Sequence, residues 1–161
     1  MVSLWVVNAS PIILLGKVGQ IDLLQHLGTP VVIPQEAVDE IQRGGPTDPS
    51  VQALAKANWL QTVTTGPIPP SIASFQLGDG ESAVLAHAQA NPGSGVIVDD
   101  RVARNAAAVL GLPYQGTLGL ILFAKSKGLL TAARPVIEQL RQEGMFLTDK
   151  LMNQALAQVG A

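Results

Sequence analysis

Two rhythms of hydrophobic positions alternate along the whole chain. Short runs rich in apolar and β-branched residues fall at Leu4–Val7, Val31–Ile33, Leu60–Thr64, Val96–Val98 and Leu112–Gln115. Their length and flanking turn residues predict strands, the first of them buried. The segments between them carry helical spacing. Ser10 and Pro11 read as an N-cap and a first helical residue. Ile12–Leu15 and Val18 follow, then Ile21, Leu23, Leu24 and Leu27. Gly16 and Gly19 are expected to divide this stretch into two short helices, and Gly28 to stop the second. Helices are also predicted at Gln35–Arg43, from Pro49 to Asn58, and at Asp79–Gln89, Arg101–Leu110 and Leu118–Lys127. Gly66–Ser71 is rich in proline and reads as a loop. Two amphipathic helices end the chain. Val136, Ile137 and Leu140 form the stripe of the first, and Leu151, Met152, Ala155, Leu156 and Val159 that of the second.

Strands alternating with helices predict an α/β domain on a mainly parallel sheet of about five strands. No repeat or linker divides the chain, so one domain is expected over residues 1–161. In such sheets ligands bind outside the carboxyl ends of the strands. Asn8 follows the first strand, Glu40 lies on the helix after the second, and Asp99 and Asp100 follow the fourth. Glu81 lies in the first turn of the helix opened by Gly78-Asp79-Gly80.

Each of these residues has an ordinary structural role available. Asn8 suits a turn. Glu40 suits a solvated helix face, and Glu81 complements a helix dipole. One of Asp99 and Asp100 suits the N-cap of the helix at Arg101. Capping needs only one acid of that pair. Gathered at one mouth, the carboxylates would repel each other without a cation. Mg or Mn fits such oxygen ligands and can activate water for phosphodiester hydrolysis.

Composition narrows the choice. The chain has 161 residues, 47% apolar, with a mean hydropathy of +0.31, and only 14% charged. A typical domain carries roughly 25% charged residues, and disordered chains are far less apolar. The absence of cysteine excludes disulfides, cysteine-held zinc, iron–sulfur clusters and thiol catalysis. Two histidines are too few for a histidine-rich metal site. The net charge of −2 supplies no global field for nucleic acid. Lys17, Arg43, Arg101 and Arg104 remain candidates for a local basic rim that contacts phosphates. Aromatic residues, at 4%, offer little for base stacking. No apolar run approaches the ~20 residues of a membrane span, and the first residues lack a basic leader. A cytoplasmic protein without membrane contact is expected.

Val6-Val7-Asn8-Ala9-Ser10-Pro11-Ile12-Ile13-Leu14-Leu15, Val32-Ile33-Pro34 through Glu40, and Gly80-Glu81-Ser82 occur in order. Asp99-Asp100-Arg101-Val102-Ala103-Arg104 and Leu110-Gly111-Leu112 with Gly116-Thr117-Leu118-Gly119 follow them. Together these segments resemble the PIN-domain superfamily, in particular a prokaryotic branch related to VapC toxins. The resemblance implies a three-layer α/β/α sandwich and a Mg/Mn-dependent ribonuclease site. It puts the site acids at Glu40, Glu81 and Asp99 with Asp100 adjacent, the first-strand position at Asn8, and supporting residues at Ser10 and Thr117. It also implies an antitoxin partner, an RNA substrate and a homodimer. Active PIN nucleases usually carry Asp where this chain has Asn8, and the branch often carries Glu where it has Ala83. Asn brings an oxygen ligand without charge. A PIN-fold binding module with weakened catalysis is therefore the alternative. A phosphoacceptor receiver, matching Asp99, Thr117 and Lys125, is disfavoured because receivers place their acid pair after the first strand.

Overall fold

The computed structural model describes residues 1–160; Ala161, the last residue of the expected domain, lies outside the described residues. Five strands, β1 (Leu4–Val7), β2 (Val31–Pro34), β3 (Gln61–Val63), β4 (Ser94–Ile97) and β5 (Tyr114–Gln115), form one sheet in the order β3-β2-β1-β4-β5. Every pairing is parallel, and Val6 of β1 stands opposite both Val32 and Val96. The chain builds outward from β1 to β3, then returns to the other side of β1 with β4. That reversal makes the β1/β4 boundary the topological switch point, where α/β sheets open a crevice at their carboxyl ends.

Both faces of the sheet are covered. Val7, Ile33 and Ile97 point into one core, and Val6, Val32, Val96 and Val98 into the other. Strands buried on two sides favour apolar residues at every position, which explains why β1 and β2 read as continuous runs rather than alternations; β4 starts two residues before the expected Val96, with Ser94 and Gly95. The first core is closed by α1 (Ala9–Lys17), a 3-10 helix (Ile21–Leu27), α2 (Gln35–Gln42) and α3 (Pro49–Lys56). Beyond α4 (Pro70–Ala73), α5 (Asp79–Ala90) and α6 (Arg101–Val109), which cover the second core, the last three helices return to the first. These are α7 (Thr117–Ser126), α8 (Arg134–Gln142) and α9 (Asp149–Val159). The architecture is the expected α/β/α sandwich.

The structure departs from expectation at several boundaries. α1 starts at Ala9 with Asn8, not Ser10, as the residue before it. The Asn8 N–H donates to Ile97 O at 3.0 Å, so the sheet ladder runs one residue further and the chain turns directly into the helix. Gly16 does not break α1. It lets α3 approach: a Cβ there would lie 2.9 Å from the Ser50 Cα. The break comes at Gly19, whose φ of +71° is left-handed. Within the expected Gly66–Ser71 loop, Pro70 opens the short α4 because Ile72 is drawn fully into the second core.

Candidate active site

The end of β1 delivers Asn8 to the switch point. Its side chain is 6% exposed and does not cap α1. Its Oδ1 is buried and has no hydrogen-bond partner. Gly80, in the first turn of α5, makes the space for it, because a Cβ there would stand 3.0 Å from that oxygen. An unpaired buried acceptor is costly and uncommon, so this one calls for a ligand or a function. Capping a turn, the ordinary role open to Asn8, is not the role its side chain plays.

Asp99 follows β4 on the neighbouring strand. Thr117 donates to it twice, from N–H to Oδ1 and from Oγ1 to Oδ2, both at 2.7 Å. The Ser10 hydroxyl donates to Oδ2 at 3.2 Å. Thr117 is fully buried at the start of α7, and Ser10 lies in the first turn of α1. The carboxylate thus sits against two helix N-termini, which favour negative charge. The other acid of the pair serves the helix. Asp100 Oδ2 accepts from the Ala103 N–H at 3.1 Å and caps α6. Capping takes Asp100 Oδ2, and Asp99 makes no cap.

Glu81, one turn into α5, faces the same place. Its Oε2 is buried without a partner. Burial, then the charge and hydrogen bond of Asp100, then the charge of Glu40 push its carboxyl from 4.5 up to about 6. Of the acids expected at the mouth, Asp100 and Glu40 are the two whose charges act on Glu81.

A cleft of about 1120 Å³ holds Asn8, Ser10, Glu40, Glu81, Asp99 and Asp100 together with Arg101 and Arg104. Two of the expected basic residues are not among those lining it. Lys17 closes the last turn of α1 and acts on Asp48. Arg43 ends α2 beyond Glu40. The expected ligand set of Asp99, Glu40, Glu81, Asp100 and Asn8 does not converge as a whole. Among the described residues no group of three or more His, Asp or Glu side chains is placed to hold one metal ion. The reason is visible in the hydrogen bonds, since Asp100 is turned to its cap and Asp99 to Thr117 and Ser10. The donor chemistry still fits Mg or Mn. Such ions bind through one or two carboxylates and keep several waters, and Asn8 Oδ1 and Glu81 Oε2 are two hard acceptors left over.

Sequence reasoning placed Ser10 and Thr117 near the site but not their convergence on one carboxylate. It missed the role of Gly80, and it missed Tyr114, Phe146 and Leu151 on the cleft wall. The helix start at Gly116-Thr117 was a usable signal for Thr117. Nothing in local periodicity marks Phe146, which sits between α8 and α9.

No curated protein matches the chain. A family model described as a PIN domain, DUF3368, matches residues 4–161. That span contains every strand of the sheet and every residue of the acidic mouth. The chain belongs to the DUF3368 family of PIN domains.

Proposed function

We propose that this chain is a Mg/Mn-dependent endoribonuclease that hydrolyses RNA phosphodiesters, acting in the cytoplasm as the toxin half of a toxin–antitoxin pair. The observation that carries the enzymatic part is the pair of unpartnered buried acceptors, Asn8 Oδ1 and Glu81 Oε2, beside an Asp99 held by three donors at the switch point. A PIN domain supplies the nuclease-type fold around them.

Asp99, Asn8 and Glu81 would hold the cation, with Glu40 at the outer edge of the cleft. When bound, the ion supplies a Lewis acid that activates water and offsets charge on the phosphate. Thr117 and Ser10 fix the direction of the Asp99 carboxylate, so it need not reorganise during the reaction. Arg101 and Arg104 line the same cleft and supply positive charge for the phosphates on either side of the scissile bond. Antitoxin recognition and homodimerisation complete this reading. Among the described residues no helix is long and apolar enough to cross a membrane.

The neutral Asn8 favours a second reading, a binding or regulatory module with weakened catalysis. Thermal unfolding with and without Mn²⁺ distinguishes them when paired with cleavage of a fluorescent single-stranded RNA. The enzyme reading expects Mn²⁺ to raise the melting temperature, Asp99→Asn to abolish that rise, and cleavage to depend on the ion. A wild type that binds Mn²⁺ and leaves every RNA intact would support the binding module instead.

A further inference from the structure

The chain has three phenylalanines, two tryptophans and one tyrosine. Among the described residues only two aromatic side chains are strongly exposed, Phe146 at 91% and Tyr114 at 44%. Both line the cleft that contains Asp99. They reach it from separate parts of the fold, Tyr114 from the edge strand β5 and Phe146 from the connection between α8 and α9. An aromatic ring in water gains nothing by standing 91% exposed, and the other four rings of the chain are all partly buried.

The Tyr114 ring is already engaged by a cation. The Arg104 guanidinium lies 5.2 Å from its centroid, a cation–π arrangement that holds both groups in place. Arg104 also lies beside Gly116, where a Cβ would be 3.5 Å from its Nη1 and 3.2 Å from Asp99 Oδ1. Cation, aromatic face and carboxylate therefore adjoin one another in the cleft. Every base has a π-face, and unpaired strands are bound by aromatic platforms beside cationic groups that follow the backbone. A duplex keeps its bases stacked inside and has no face to offer.

We propose that Tyr114 and Phe146 are base-stacking platforms that hold an unpaired RNA strand across the acidic mouth, with Arg101 and Arg104 on its phosphates. The proposal rests on the ribonuclease reading and adds to it the two side chains of this chain that contact the bases. The cleft also carries Glu40, Glu81, Asp99, Asp100 and Glu143; the two guanidiniums, one of them against the Tyr114 ring, are the groups that favour a nucleic-acid strand over an apolar peptide or a second copy of the chain as the occupant.

The test measures fluorescence anisotropy of a labelled unstructured RNA of about ten nucleotides, in chelator so that no cleavage occurs. Wild type is compared with Phe146→Ala, Tyr114→Ala and Arg104→Ala. Each aromatic variant is expected to weaken binding about 5- to 150-fold, the range for loss of one stacked base, with an unchanged salt slope. Arg104→Ala should reduce the salt slope by about one as a phosphate contact is lost. An RNA with abasic sites should bind wild type as weakly as the intact RNA binds the aromatic variants. Duplex RNA should bind all the aromatic variants equally. Both rings are exposed, so the variants are expected to melt like wild type. If wild type binds the strand and the aromatic variants bind it equally well, the stacking proposal is overturned while the nuclease reading stands. If Phe146→Ala instead converts a dimer to a monomer in sedimentation and leaves RNA affinity unchanged, the surface is a self-interface and the proposal is wrong. If wild type binds no RNA in chelator, the stacking proposal is overturned, and the nuclease reading is decided separately by cleavage with Mn²⁺.

Discussion

Glu81→Gln separates the stability of the site from its function. The Glu81 carboxyl sits at about 6 against an ordinary 4.5, mainly through burial and then through Asp100. In this acid the folded state holds its proton longer than the unfolded state does. Between pH 4.5 and 6 the unfolded chain releases its proton first, so wild-type stability falls across that window and then levels off. One pKa unit corresponds to 1.36 kcal/mol, which would put the full loss near ~2 kcal/mol. The side chain is only half-buried, and solvent screening reduces this to about 1 kcal/mol. Glutamine keeps a donor toward Asp100 and never ionises, so it copies the protonated form at every pH. Urea unfolding in chelator should show wild type and Glu81→Gln equal at pH 4. At pH 8 the variant should be more stable by about 1 kcal/mol, or ~2–4 °C in melting temperature for a chain of this size. With Mn²⁺ the order should reverse, since the ion favours the carboxylate and the amide carries no charge. Equal stability at pH 8 in chelator would refute the crowding of acids around Glu81. A variant less stable than wild type under those conditions would mean that Glu81 Oε2 has a partner that the amide cannot replace.

Other changes probe neighbouring parts of the same structure. Thr117→Val keeps the shape and the backbone N–H but deletes the 2.7 Å hydroxyl bond to Asp99. It should cost about 1.5–3 kcal/mol in chelator, read by denaturant unfolding, because a hydrogen bond to a charged group is lost. Asn8→Asp adds a charge at the unpartnered Oδ1. It should lower the melting temperature in chelator and raise Mn²⁺ affinity, measured by titration calorimetry, and an unchanged affinity would remove Asn8 from the ligand set. Gly16→Ala should destabilise in a thermal melt despite alanine's helix preference of ~1 kcal/mol. The new Cβ would meet the Ser50 backbone at 2.9 Å, and overpacking of this kind costs about 1–3 kcal/mol.

Much of the fold was legible because its signals are local. β1 and β2 are apolar at every position, as strands buried on both faces must be, and β4 is so from Val96 on. Gly19 and Gly28 mark the ends of helical segments by left-handed backbone. The acids at strand ends were legible for a related reason, since a parallel sheet carries its carboxyl ends to one side. Sequence could not say which of Asp99 and Asp100 would cap α6, because either position suits that residue type. The sheet decides it by ending β4 at Ile97 and placing Asp99 over Thr117. The orphaned state of Asn8 was hidden because it depends on Gly80, which is 72 positions away and touches it only after folding. Lys17 and Arg43 illustrate the converse. Both were expected on the rim and neither lines the cleft: Lys17 lies at the opposite end of α1 from Ser10, and Arg43 follows the last turn of α2, whose Glu40 does line it.

If the mouth built on Asp99 is a cation-dependent ribonuclease site, one measurement exposes it with the fewest intermediate steps. The purified chain is incubated with an unstructured RNA, with Mn²⁺ or in chelator, and with Asp99→Asn beside wild type. The expected result is cleavage by wild type only when Mn²⁺ is present, and none by a folded Asp99→Asn variant. Cleavage that persists in chelator, or in the Asp99→Asn variant, would contradict that role for the mouth, as would an intact RNA after incubation with wild type and the ion.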